Sequence, residues 1–450
     1  MVLRFTLSAG LRLILRNAAA ILAADAVNRG TTFVLYTLVA RYLGTFEFGQ
    51  LALALALFYT FQMLAAAGLK TLIIREVARD RARSSLYLIN GAVILVATTL
   101  LSLASLFVFV TLMGYSRSTA SLILLLALGL VPVAFTTLFE ALFQAWERMH
   151  FIAIANIPAS ILKASVAFVV LARGGRLFTL AVVILLTQAA VAAVEWQFLT
   201  RYVVRAHARI DLRWSLRMLR ASAPFLGIDV TNAAYSSIQI VLLSVLAGET
   251  DVGLYGAASQ VLVPIGLLFQ SLTQTLFPVM CRRFEVDCRE LKQLAERALV
   301  WLLAAAIPAS LVLFIFADRV LALLYGAHKF HGAAPVLRIL VWSLIFTATT
   351  HALGQVLLAG RREVITLRIV AVNAVVSLTL GLVLIERLGP LRGAPLAMLV
   401  AGFVNVVQHY VPVSRLVGGI LPSRLMVTSA FSPLSLDGSS RGDSDARGIN

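Results

Sequence analysis

The stretch GTFEFGQLALALALFYTFQMLAAAGLKTLIIREVAR occupies residues 44–79. A turn bounded by Gly44 and Gly49 leads into some 20 apolar residues, and the run closes on Lys70, Arg75 and Arg79. About 20 apolar residues in a helix match the ~30 Å hydrocarbon layer of a bilayer. A Lys/Arg cluster at one end of such a run marks the cytoplasmic side. The stretch therefore reads as one membrane span with its basic end inside the cell.

The same arrangement returns 204 residues later without a gap. Asp25 falls on Asp229, Asn28 on Asn232, Gly44 on Gly248, Gly49 on Gly253, Thr71 on Thr275 and Arg79 on Arg283. GTFEFG answers GETDVG, and KTLIIREVAR answers QTLFPVMCRR. Leucine and alanine matches are cheap in so apolar a chain; matches at Asp, Asn, Gly and Thr are not. Six spans separate the copies, so both run in the same direction. Parallel repeats of this kind give two halves related by an axis along the membrane normal, with a site between them near the midplane.

The rest of the chain agrees. Of 450 residues, 60% are hydrophobic and 13% charged, against about 25% charged in a soluble domain. The fold class expected is an all-α polytopic membrane protein with two parallel six-helix lobes. Twelve spans are expected at roughly 17–40, 50–69, 86–113, 120–144, 151–172, 178–199, 221–246, 253–279, 298–316, 337–359, 364–386 and 393–416. The chain then divides into a cytoplasmic N-terminal segment (1–16), an N-lobe (17–199), a basic cytoplasmic linker (200–220), a C-lobe (221–416) and a cytoplasmic tail (417–450). The Ser/Gly/Asp-rich tail is expected to be disordered.

The net charge of +17 could suggest nucleic acid, but its placement argues for membrane lipids as partners and against nucleic acid. Arginines gather in alternate loops, at Arg4, Arg12 and Arg16, at Arg201 to Arg220, and at Arg282 to Arg297. There they set topology and meet anionic headgroups. Both termini are expected in the cytoplasm of a cell-membrane protein. Cys281 and Cys288 share one expected loop without His or Cys neighbours, which reads as free thiols and no metal. No catalytic constellation, cofactor motif or Walker-type glycine loop is found, so no enzyme activity is expected and any energy must come from a gradient.

Charged and amide residues inside spans are the functional candidates, because burying them in lipid is costly. Asp25, Asn28 and Arg29 share one face of span 1. Arg29 lies near the midplane, too deep to snorkel. It is either an anion contact, since a guanidinium grips phosphate with two hydrogen bonds, or half of a neutralising Asp25–Arg29 pair. Its repeat mate is Ala233, so the halves differ there. Lys163 is a second deep cation, with no acid one helical turn away. Arg29, Lys163, Asn28 and Asn232 are the candidate substrate contacts. Asp25 and Asp229 could carry a coupling ion or accept hydrogen bonds at helix contacts. Glu140, Glu195 and Arg368 read as snorkelling near the boundary. His351, Asn373, Asn405, Gln408 and His409 read as interhelical hydrogen-bonding groups.

The strings RYLGTFEFG, GLKTLIIREVAR, VLAGETDVGLYGAASQ and FPVMCRR resemble those of the polysaccharide transporter family. These are lipid-linked oligosaccharide and O-antigen flippases of the multidrug/oligosaccharidyl-lipid/polysaccharide superfamily. The resemblance runs over about residues 15–415. It implies a V-shaped transporter, two six-helix lobes around a cationic cavity that passes the headgroup of a polyprenyl-diphosphate glycan from the inner to the outer leaflet by alternating access. It also implies a lipid-linked oligosaccharide as ligand, with a glycan polymerase and a chain-length regulator as partners. One departure falls in span 7. Members often carry Arg-hydrophobic-Asp where this chain has Ser237, Ile238 and Gln239, so coupling through that pair does not carry over and Asp229 becomes the substitute.

Three alternatives stand beside this reading. A cation-coupled drug or metabolite antiporter of the same superfamily would share the fold and show mid-membrane acids. A major-facilitator transporter would carry a glycine after Asp-Arg in the loop between spans 2 and 3, and GLKTLIIREVARDRARSS has none. A membrane glycan polymerase or ligase would need a long external loop bearing catalytic residues.

Overall fold

The computed structural model describes residues 9–204, 207, 209–326 and 329–418, and every regular element among them is helical. In the first half, α1 (Ala9–Tyr42) is followed by α2 (Thr45–Ala66), α3 (Leu69–Arg79), α4 (Ser84–Met113), α5 (Arg117–Ala127), α6 (Leu130–Ala145), α7 (His150–Ala172) and α8 (Leu177–Tyr202). The second half holds α9 (Leu212–Leu246), α10 (Glu249–Val286), α11 (Cys288–Ile315), α12 (Ala317–Tyr325), α13 (Ala333–Leu340), α14 (Ser343–Ala359), α15 (Glu363–Leu388) and α16 (Pro390–Val417). In hydrocarbon a chain must satisfy its own backbone, and a helix does so within one segment. Eleven helical segments among the described residues are long and apolar enough to cross a membrane. They match expected spans 2 to 12; α1, which carries Asp25, Asn28 and Arg29, covers residues 17–40 of the expected first span as a helix but is not among the eleven. The expected N-terminal segment lies partly, and the tail almost wholly, outside the described residues.

The repeat is visible in the backbone. α1 ends at Tyr42 and α9 at Leu246; α2 starts at Thr45 and α10 at Glu249. All four boundaries keep the offset read from the sequence. The caps match too: Gly44 has φ 108° and Gly248 has φ 98°. Packing repeats likewise. α1 lies along α7 as α9 lies along α15, and α3 meets α6 as α10 meets α14.

The copies part at Gly68. Its φ of 63° suits glycine, and a Cβ there would lie 2.4 Å from the Leu226 nitrogen of α9. The break separates α2 from α3. The equivalent position is Leu272, and α10 runs through it unbroken to Val286. The loop expected around Cys281 and Cys288 is therefore mostly helix: Cys281 lies in α10 and Cys288 opens α11. Both thiols are free.

The hydrophobic core tells how the halves meet. At the end bearing Gly44 and Gly248, one continuous cluster joins both halves, from Val39 and Phe48 to Val252 and Leu337. At the opposite, arginine-rich end the core splits into two clusters. One centres on α3, α4 and α6, with Met218 of α9; the other centres on α11 and α14. The halves share one core at the glycine end; toward the basic end their cores are separate, although α9 still packs against α3 and α4.

The fused end is tightly built. α2 and α10 cross where Gly49 faces Gly253, and a Cβ on Gly49 would stand 1.7 Å from the Glu249 carbonyl oxygen. Small residues let helix backbones approach this closely. Around the crossing, Thr119 Oγ1 donates to Glu249 Oε1 at 2.6 Å and Thr60 Oγ1 to Ser237 Oγ at 3.0 Å. Lys329 Nζ donates to the Arg41 carbonyl at 2.9 Å.

Candidate functional site

A cavity of about 480 Å³ opens in the first half, lined by α1, α2, α3, α6, α7 and α8, with Asp229 of α9 completing its wall. Its lining is rich in hydroxyls and amides, among them Thr32, Gln62, Thr136, Thr137, Ser160 and Gln188. Tyr59 and Phe58 add aromatic surface. A cavity that mixes apolar walls with a few converging polar groups is the usual form of a binding site.

Three of the sequence candidates meet here. Asn28, Lys163 and Asp229 all line the cavity. The Asn28 Oδ1 accepts a hydrogen bond from Ser160 Oγ at 3.3 Å and a long one from Lys163 Nζ at 3.5 Å. The packing of α1 against α7 sets this contact, because it faces position 28 to positions 160 and 163. Lys163 lies 13 residues into α7, or about 20 Å along the helix. It has no ion-pair partner among the described residues.

Arg29 and Asp25 stand apart. The Arg29 Nε donates to Asp25 Oδ2 at 2.7 Å, one helical turn away, and each side chain is about half exposed (47% and 50%). Of the two sequence readings, the intrahelical pair is the one that forms. The guanidinium still acts electrostatically on Tyr59 of the cavity wall. Asn232, the repeat mate of Asn28, lines a different cavity in the second half. The repeat-related acids also separate, since Asp229 faces the first cavity and Asp25 faces neither.

Sequence reasoning read Glu140 and Glu195 as snorkelling and Lys70 as part of a basic cluster, did not single out Asn156, and missed the contacts these four make. Lys70 Nζ pairs with Glu140 Oε2 at 2.8 Å, and both line the cavity. Glu195 does not snorkel: it is fully buried, and its Oε1 accepts from Asn156 Nδ2 at 3.0 Å while Oε2 has no partner. α6 and α7 pack over this part of α8 and close its route to solvent. Asp229 and Glu195 both lie within electrostatic reach of Lys70. Two lysines, Lys70 and Lys163, and two acids, Glu140 and Asp229, thus line this first-half cavity. Positive charge without a counter-ion is local, at Lys163.

Comparison with known proteins adds the family. A model described as polysaccharide biosynthesis protein matches residues 14–284, and a MatE model matches residues 224–383. Comparison with curated proteins finds no match. Among solved structures, the lipid II flippase MurJ in an inward closed conformation is similar at a TM-score of 0.71 and 15% identity, over 88% of this chain and 87% of that one. A multidrug resistance MATE family transporter of the MOP superfamily, facing inward, gives 0.69 and 17% over 88% and 98%. A eukaryotic MATE transporter gives 0.60 and 14% over 90% and 96%. At such identities the likeness shows the shared fold.

Proposed function

The chain belongs to the polysaccharide biosynthesis protein family and holds eleven helices long and apolar enough to cross a membrane among its described residues, and from that premise we propose that it is a transporter of the multidrug/oligosaccharidyl-lipid/polysaccharide superfamily that flips a polyprenyl-diphosphate-linked oligosaccharide from the inner to the outer leaflet of the cell membrane. The observation that carries the reading is Lys163. It is a cation without an acid, deep in a cavity walled by hydroxyls and amides. A diphosphate supplies the missing counter-charge, and the hydroxyls and amides replace water around the sugars. Stripping each sugar hydroxyl of water costs a few kcal/mol, so spontaneous flipping is slow and a polar path removes that barrier.

The helix packing supports a route for the lipid. α2 and α9 pack closely, whereas the repeat-equivalent pair, α1 and α10, makes little contact. A polyprenyl tail stays in the bilayer on that side while the headgroup enters. With the basic end in the cytoplasm, the cores of the halves separate toward the inner leaflet, the side from which the substrate is loaded. Parting the halves at the Gly49–Gly253 crossing while they close at the basic end exposes the cavity to the other side. Arg29, poised beside Tyr59, exchanges Asp25 for substrate phosphate. Asp229 is the coupling acid, because it faces the cavity within reach of Lys70. A glycan polymerase and a chain-length regulator are the partners that use the product.

The MatE match over residues 224–383 favours a second reading, a drug or metabolite antiporter. Cationic drugs call for uncompensated acids in the cavity. Of the two acids in this cavity, Glu140 is already paired with Lys70 and Asp229 lies within electrostatic reach of the same lysine. Deleting the gene in a strain without redundant flippases separates the two. Accumulated lipid-linked precursor with lost surface glycan, restored by the wild-type gene, is the flippase outcome. Unchanged glycans with new drug sensitivity is the antiporter outcome.

A further inference from the structure

We propose that the second-half cavity is a subsite for an uncharged sugar residue of the headgroup; this rests on reading the first cavity as the diphosphate site. The second cavity, about 240 Å³, lies among α9, α14, α15 and α16. It repeats the placement of the first. Asn28 and Asn232 are repeat mates, each opens onto its own cavity, and α9 lies along α15 as α1 lies along α7.

Its chemistry differs. Among the described residues no Lys, Arg, Asp or Glu lines it; the polar groups are amides, a threonine hydroxyl, the Tyr235 phenol and the rings of His351 and His409. Asn373 is only 1% exposed, and neither atom of its amide has a partner of good geometry, although the Tyr235 hydroxyl is close. The Asn405 Oδ1 is likewise unpartnered. The His409 Nδ1 lies 2.9 Å from the Asn405 carbonyl oxygen, which can only accept. That bond fixes the donor on Nδ1 and leaves Nε2 free.

Each buried polar group left unpaired costs about 1–3 kcal/mol, and a ligand that pairs them recovers that cost. The Asn373 amide sets a donor beside an acceptor, which matches neighbouring sugar hydroxyls, each both donor and acceptor. A phosphate would meet unpaired carbonyl oxygens and no cation. A metal ion would meet two imidazoles and no carboxylate, and no group of three or more His, Cys, Asp or Glu converges among the described residues. The halves therefore divide the headgroup: the charged diphosphate goes to the first half and a neutral sugar ring to the second.

The test uses the full chain in nanodiscs and four probes: polyprenyl diphosphate alone, and the same lipid carrying glucose, galactose or N-acetylglucosamine. At least one glycosylated probe is expected to bind about tenfold more tightly than the bare lipid. Asn373→Leu should abolish that advantage and leave the bare lipid's affinity unchanged. Gly354→Val is the second variant. Its added Cβ would stand over the His409 ring, at 3.8 Å, so the side chain enters the cavity, and it should act the same way. Lys163→Met should weaken all four probes. The proposal is overturned if no sugar improves binding, or if both cavity variants keep the sugar's advantage. Failure of the wild type to bind even the bare lipid would overturn the diphosphate site itself, and this inference with it.

Discussion

Gly49→Ala tests the crossing that fuses the two halves. The new Cβ would sit 1.7 Å from the Glu249 carbonyl oxygen and 2.7 Å from its carbon. Both are backbone atoms and cannot swing aside. Ordinary contact begins near 3.5 Å, so α2 and α10 must part by about 2 Å. Overpacking of this kind costs about 1–3 kcal/mol. Parting also loosens Thr119–Glu249 and Thr60–Ser237, each worth about 0.6 kcal/mol by the average for membrane proteins. The sum, about 2–4 kcal/mol, falls only on the conformation closed at this end. At 1.4 kcal/mol per tenfold, the equilibrium shifts toward the open form by about 30- to 700-fold. Spin labels at Phe46→Cys and Thr250→Cys, exposed and repeat-related positions, read the separation once Cys281 and Cys288 are replaced by serine. Pulsed electron resonance should show a longer distance become dominant in Gly49→Ala, and equally in Gly253→Ala, whose Cβ would lie 2.0 Å from the Thr45 carbonyl oxygen. Unchanged distances together with unchanged melting temperatures in both variants would refute the crossing.

Three further outcomes follow from the first cavity. Lys163→Met should weaken binding of polyprenyl diphosphate by about 10- to 100-fold, the worth of one charge-assisted hydrogen bond, while Lys163→Arg keeps most of it; equal affinity in the methionine variant would remove Lys163 from the site. Arg29→Ala should abolish glycan export with expression and melting temperature unchanged, because a half-exposed i,i+4 pair contributes no more than about 0.5 kcal/mol; wild-type export would remove Arg29 from the mechanism. Asn156→Leu strands the buried Glu195 carboxyl and should cost about 2–4 kcal/mol, seen as a melting temperature lower by several degrees. Adding Glu195→Met should recover most of that loss, and no loss in the single variant would show that the contact is idle.

The spans and the repeat were legible because both rest on local pattern. Hydropathy reports helices that must satisfy their own backbone, and the Asp25/Asn28 and Gly44/Gly49 matches place the second copy to the residue. The continuation of α10 to Val286 was not legible, since from Arg282 onward the sequence turns polar and reads as a loop. Only the contrast between Gly68 and Leu272 hints that one copy breaks and the other does not.

The site was half legible. Depth and charge pointed to Lys163 and Asn28, and the structure brings them together on one cavity wall. The Lys70–Glu140 and Asn156–Glu195 contacts join residues of different spans, and a single sequence does not show which helix faces meet. The assignment of Glu195 to the surface failed for the same reason: nothing in α8 itself reports that α6 and α7 cover it. In the second half, Asn373, Asn405, His351 and His409 each resemble ordinary interhelical contacts. Only the convergence of four helices makes them one cavity with orphaned polar atoms.

The most direct test of the central claim is a leaflet assay in proteoliposomes. A polyprenyl-diphosphate oligosaccharide is placed in one leaflet, and its exposure to an impermeant glycosidase on the other side is followed in time, with and without an imposed proton or sodium gradient. The account requires the wild type to expose the glycan faster than protein-free vesicles under at least one condition, and Lys163→Met not to. Exposure at the protein-free rate for the wild type under every condition would contradict it.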